Sequence, residues 1–199
     1  SLGDFELSVG RQIIAWGEGM ILSPLDVVNP KDNREPGQVA LEDIRLPLLS
    51  TRIGWFYENH RVELLVNHES EWGYRPAPLS TFSPVHQMLE DSVLGQLAND
   101  RDFIYSHRQK RFDIQNQEAF LRWQYTGDFL DVSVYAASLL DRQGILDINP
   151  ATMLSSPSSL SLGLDHRRYW MIGHSAILPM ADWTIRWEAG LDLNRAVNT

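Results

Sequence analysis

The chain has 199 residues, 22% of them charged and 43% hydrophobic, which excludes wholesale disorder and leaves room for one large domain or one barrel. A net charge of −9 with no basic cluster excludes a nucleic-acid surface. Cys is absent, so disulfides and thiolate metal sites are excluded too.

All but Lys31 and Lys110 of the 17 basic residues are Arg, the cation suited to pairing in partly desolvated places. No apolar run approaches the roughly 20 residues of a membrane helix. No charged-then-apolar leader stands at Ser1, so any export signal would precede it. A membrane role would therefore require a closed β-barrel.

Residues 5–16 read as the first strand, with Phe5, Leu7 and Val9 opposite Glu6, Ser8 and Gly10. Arg11 then falls on the apolar face. A bulge at Gly10 would reset the register. Otherwise Arg11 belongs near an interface, since a lipid-facing Arg costs about 2–4 kcal/mol at the bilayer midplane. Residues 17–50 form a long irregular loop, broken by Pro24, Pro30, Pro36 and Pro47. Residues 51–57 and 62–67 make a hairpin. Ile53, Trp55 and Tyr57 oppose Arg52 and Gly54; Val62, Leu64 and Val66 oppose Glu63 and Asn67, with Leu65 the exception.

A second long loop, 70–116, carries helical spacing over 84–97 (Val85, Met88, Leu89, Val93, Leu97), read as a short helix packed on or in the loop. Strands 119–125 and 130–136 follow, joined through Thr126-Gly127-Asp128, which has hairpin chemistry. The third long loop, 141–165, is rich in Ser and Pro, and 155–159 reads as flexible. Strand six, 167–178, alternates poorly and its faces stay unassigned. The final strand, 183–194, alternates best. Trp183, Ile185, Trp187, Ala189, Leu191 and Leu193 share one face; Thr184, Arg186, Glu188, Gly190, Asp192 and Asn194 share the other. Its length suits a tilted strand crossing a bilayer.

These strands are joined by connections that alternate long and short, which predicts an all-β, antiparallel up-and-down transmembrane β-barrel. The long loops 17–50, 70–116 and 141–165 would lie on one rim and the tight turns on the other. Residues 1–199 read as a single barrel region. An odd strand number and an end, Ala196-Val197-Asn198-Thr199, without a terminal aromatic predict part of a larger barrel.

Trp55, Tyr57, Trp123, Tyr125 and Trp183, beside the short turns, are the expected interfacial girdle. Arg52, Glu63, Arg122, Asp131, Arg186, Glu188 and Asp192 are the expected pore lining, their mixed signs predicting weak ion selectivity. Period two survives inversion, so the apolar face could instead meet a protein core, as in a soluble β-protein with an apolar ligand cavity.

The segment Gly10-Arg11-Gln12-Ile13-Ile14-Ala15-Trp16-Gly17-Glu18, followed by Leu25-Asp26-Val27-Val28-Asn29-Pro30-Lys31-Asp32, resembles a family of uncharacterised proteobacterial outer-membrane proteins, porin-like in the style of alginate-export porins. Glu42-Asp43-Ile44-Arg45-Leu46-Pro47 is similar to a later segment of that family, with Ile44 and Arg45 departing from its order. The resemblance implies residence in the bacterial outer membrane, among lipid and lipopolysaccharide, with a loop folded near or into the lumen. It also implies transport of small or lipid-like solutes and an inner-membrane or periplasmic transport partner.

Physically, the same residues can pin the first loop to the wall. Arg11 and Gln12 can donate to loop carbonyls or to Asp26, Asp32 or Asp43, and Asn29-Pro30 sets an extended-to-turn step. The loop-pinning set is Arg11, Gln12, Trp16, Asp26, Asn29, Pro30, Asp32, Asp43 and Arg45.

The six His residues show no zinc-ligand spacing. Asp26, Asn29 and Asp32, with Glu18, could gather around Ca²⁺, but solvated loop residues are the expectation. There is no phosphate loop, nucleophile elbow or Cys/His arrangement, so neither catalysis nor a cofactor or metal is expected. The functional expectation is an outer-membrane channel with a polar lumen; the alternative is a barrel plugged by its loops and serving an envelope assembly.

Overall fold

Alternation over eight to thirteen residues leaves one way to satisfy every backbone donor and acceptor, which is to pair each strand with the next. The computed structural model describes residues 4–147 and 159–197, apart from 18, 20–22, 36, 38–42, 84–85 and 88–101. In chain order the strands are β1 (Phe5–Gln12), β2 (Leu48–Tyr57), β3 (His60–Asn67), β4 (Asp102–His107), β5 (Glu118–Thr126), β6 (Asp131–Leu140), β7 (Ile145–Asp147), β8 (Ser159–Asp165), β9 (Arg168–Met180) and β10 (Trp183–Leu193). The fold is almost all β. All seven strands expected from the alternation lie in one antiparallel sheet, ordered β1-β2-β3-β5-β6-β9-β10. This sheet is open: β1 and β10 are its two edges and do not pair with each other.

The register aligns like with like. Leu7, Ile53, Leu64, Leu121, Ala136, Ile172 and Leu191 are successive cross-strand partners, an aliphatic row running the whole width of the sheet. The next row toward the short turns is Phe5, Trp55, Val62, Trp123, Val134, His174 and Ala189. Nothing among the described residues covers this face, and Leu7, Ile53, Leu64, Leu121, Ile172 and Leu191 are all exposed. The other face is covered by the chain's own long connections.

The register decides one pair of alternatives and corrects one expectation. First, β1 carries no bulge at Gly10: pairing is one-to-one from Phe5↔Trp55 to Gln12↔Leu48. The strand ends at Gln12, so Arg11 already stands at the long-loop rim, where it donates to the Pro47 carbonyl (3.1 Å) and pairs with Glu69 (2.8 Å). Beyond Gln12 the chain leaves the sheet and turns onto the covered face. Second, the long connections are not wholly irregular. Strands β4, β8 and β7 form a separate sheet, with β4 and β8 parallel and β7 and β8 antiparallel. Leu160, Leu162 and Leu164 are buried opposite Ser161, Gly163 and Asp165, and that alternation outweighs the Ser-rich composition. Most of 84–97, expected to be helical, lies outside the described residues.

The core sits between the first loop and the covered face. Trp16 meets Phe120 edge-on (5.6 Å between ring centres) and Tyr135 at 5.2 Å, beside Leu25, Val28, Leu65, Leu139, Tyr169 and Met171. Leu65, the exception in β3, is fully buried there, and Phe120, Ala137 and Met171 continue its row. The poor alternation of β9 has the same cause, since Tyr169 and Met171 face this core while Trp170 and Ile172 face out. Burying Leu25, Leu65 or Phe120 contributes about 1.5–3 kcal/mol each.

Leu25 seats where two strands lack side chains. A Cβ on Gly173 would lie 2.2 Å from Leu25 Cδ2, and one on Gly190 at 3.4 Å. Gly173→Ala should therefore destabilise the fold by about 1–3 kcal/mol. Leu25→Ala should cost about 2–5 kcal/mol. Thermal unfolding of the double variant should show less than the sum of the two, because the smaller side chain relieves the clash.

Candidate functional site

Glu63 of β3 is a fully buried charge on the covered face, with 1% of its side chain exposed. Alternation points it inward, and the register places Arg122 directly opposite it on β5. Its carboxylate reaches Arg61 at 3.0 Å, Arg122 at 3.4 Å and Arg52 at 3.9 Å, and accepts from Trp16 Nε1 at 3.2 Å. Glu6 closes the group, pairing with Arg52 at 2.7 Å and Arg61 at 3.7 Å. An isolated buried carboxylate would be prohibitively costly, so these arginines are what permit it.

Of the expected pore lining, only Arg52, Glu63 and Arg122 come together. Asp131 and Arg186 lie toward the short-turn rim in one cross-strand row, separated by Ile177. Glu188 accepts a hydrogen bond from the Ser23 hydroxyl (3.0 Å), and Asp192 pairs with Arg195 at 2.7 Å. The girdle residues Trp55, Tyr57, Trp123 and Trp183 are exposed on the bare side near the short turns, with Tyr125 half-buried beside His60.

The first loop is pinned, and of the two kinds of partner expected for Arg11 and Gln12 it is the carbonyls, not Asp26, Asp32 or Asp43, that accept. Gln12 donates to the Ser50 carbonyl and hydroxyl rather than to an acid. Asn29 holds three backbone groups: its Oδ1 accepts from Ile14 N (2.7 Å), and its Nδ2 donates to the carbonyls of Gln12 (3.0 Å) and Leu46 (2.8 Å). The Pro30 carbonyl accepts from Leu46 N at 2.8 Å. Asp26 is taken by Arg45 through both oxygens and by Lys31 at 2.9 Å, while Asp32 is bound by Arg34. These acids are thus held apart by separate cations rather than converging on one centre. Asp43 is exposed, and Glu18 lies outside the described residues.

At the long-loop rim the loops enclose a cavity of about 630 Å³, reached by Lys31, Trp72, Arg75, Tyr105, Arg142 and Arg195 among others. Beside it Trp72 stacks on His166, 3.7 Å between ring centres and 11° from parallel. His166 Nδ1 lies 2.7 Å from the Asp141 carbonyl, which can only accept, so Nδ1 carries the proton. Nε2 is then an acceptor, and His107 Nδ1 donates to it at 2.8 Å. Burial, reinforced by the charges of His107 and Arg75 and opposed by the bond to Asp141, lowers the His166 pKa to about 4. Burial and Arg75 lower that of His107 as well.

Sequence reasoning missed Glu6, Arg61, Arg75 and the His107–His166 pair. Glu6 was visible on the polar face of its strand, whereas Arg61 fell in the expected turn and proves to lie in β3. The histidines stand 59 residues apart and carry no local signal.

Glu63→Gln leaves three guanidinium groups around a neutral amide and should destabilise by about 3–5 kcal/mol. Glu58→Gln, in an exposed turn, should stay within about 0.5 kcal/mol on the same unfolding measurement. The neutral His166 stabilises fully above the unfolded value near 6.5. That stability is lost as pH falls toward 4, because the unfolded chain takes the proton first. The melting temperature should therefore drop across this window, and His166→Gln should drop less steeply.

No curated protein and no solved structure matches this chain. One family does, over residues 3–198, described as Protein of unknown function (DUF1302). With nearly its whole length matched, the chain belongs to the DUF1302 family.

Proposed function

We propose that the seven-stranded sheet is the wall of an outer-membrane β-barrel, part of a larger barrel, that passes small or lipid-like solutes along its polar side. The observation that carries this reading is an inversion of burial. Glu63 is 1% exposed, while Leu121, one strand away and on the opposite face, is 45% exposed. Water would favour the reverse arrangement, since contiguous bare apolar surfaces of this extent mark contact with a partner or a membrane. Acyl chains are the partner that accepts a row spanning every strand, flanked near the short turns by Trp and Tyr. Lipid and lipopolysaccharide would cover the bare face. The earlier resemblance supports the same location, and with it an inner-membrane or periplasmic transport partner.

A plugged barrel is the second reading, and Leu25 against Gly173 and Gly190 favours it, because the first loop is seated on the wall rather than projecting from the rim. Planar-bilayer recording separates the two. A conducting barrel should show steps of weak ion selectivity, given the mixed charges. A protein that inserts without conducting is the plugged form.

Leu121→Arg tests the bilayer itself. On a lipid-facing midplane it should cost about 2–4 kcal/mol and reduce insertion into vesicles. On a wet surface it would change stability by no more than about 0.5 kcal/mol.

A further inference from the structure

The cavity at the long-loop rim has an unbalanced charge. Four cations reach it, and three are matched: Lys31 by Asp26 (2.9 Å), Arg142 by Glu118 (2.5 Å), and Arg195 by Asp141 (3.0 Å) and Asp192 (2.7 Å). Arg75 forms no salt bridge among the described residues; Asp141 acts on it only at longer range and is itself bound by Arg195. Its Nη2 donates to the carbonyls of Arg142 (2.6 Å) and Gln143, which orient the group without neutralising it. Its guanidinium stands 5.7 Å from the Tyr105 ring, and burial lowers its pKa. A partly desolvated cation held by neutral acceptors is a site that an anion completes.

Asp26 and Asp141, the two carboxylates in the lining, are both engaged by cations, and much of the rest is apolar. Val27, Pro30, Trp72, Pro76, Leu146 and Leu164 line the same space, from the first loop, the second loop and the small sheet. The volume of about 630 Å³ lies within the range of small-molecule pockets. One uncompensated guanidinium calls for one negative charge rather than two, and its fork matches a carboxylate edge-on.

We propose that this cavity binds a small amphipathic monoanion, a carboxylate with an apolar body, whose head is gripped by Arg75 and whose body lies against Trp72 and the aliphatic wall. The site belongs to the loops, so it stands whether or not the barrel conducts.

The test is calorimetry on the full chain in lipid nanodiscs with three probes of one shape: 4-phenylbutyrate, 4-phenylbutanol and 4-phenylbutylammonium. The carboxylate should bind at least about tenfold tighter than the alcohol, and the ammonium should not bind measurably. Arg75→Met should remove that preference and Arg75→Lys should retain part of it, while Arg167→Met, outside the cavity, should leave it intact. Equal binding of all three probes, no binding of the carboxylate, or an unchanged preference in Arg75→Met would overturn the proposal. The probe series on the unaltered protein decides the matter even if an Arg75 variant fails to fold.

Discussion

A carboxylate shut away from water, in reach of three guanidinium groups and an indole N–H, is the contact on which this architecture turns. Glu63 can be buried there only because β2, β3 and β5 present Arg52, Arg61 and Arg122 at the right register, and because Trp16 closes over it. That contact ties the first loop to the wall and makes the polar side of the sheet the interior one. Once the polar side is interior, alternation forces Leu, Ile and Trp to the other side, where no described part of the chain covers them.

The long connections complete the interior in two layers. Nearest the wall, Trp16, Leu25 and Val28 pack on an apolar patch made by Leu65, Phe120, Tyr135 and Met171. Farther along, toward the rim, the small sheet of β4, β8 and β7 brings His107 and His166 onto Trp72. Connecting loops vary freely where they are solvated. These instead carry their own buried Leu rows, side-chain hydrogen bonds and ion pairs, which makes them part of the folded unit.

The seven wall strands were legible because period two is a local signal that survives in one sequence. Their exceptions were legible only in retrospect. Leu65 and the two-sided apolar character of β9 look like errors until the first loop is laid over them, and then they mark its docking patch. Asn29 was picked out for its place before Pro30, whereas its work is to hold the carbonyls of Gln12 and Leu46. The small sheet escaped because β4 and β8 pair in parallel across more than fifty residues, and Ser-rich composition masked the alternation of Leu160, Leu162 and Leu164. The cavity around Arg75 depends on three separate loops, and no spacing within any one of them announces it.

Which side of the sheet meets acyl chains is the claim under all the rest. The chain has no cysteine, so a single Cys carries a fluorophore to a chosen position without competition. With labels at 121 and at 122 in turn, quenching by lipids brominated deep in their acyl chains measures the answer. Strong quenching at 121 and little at 122 is the result this account predicts; equal quenching at both, or the reverse order, would contradict it.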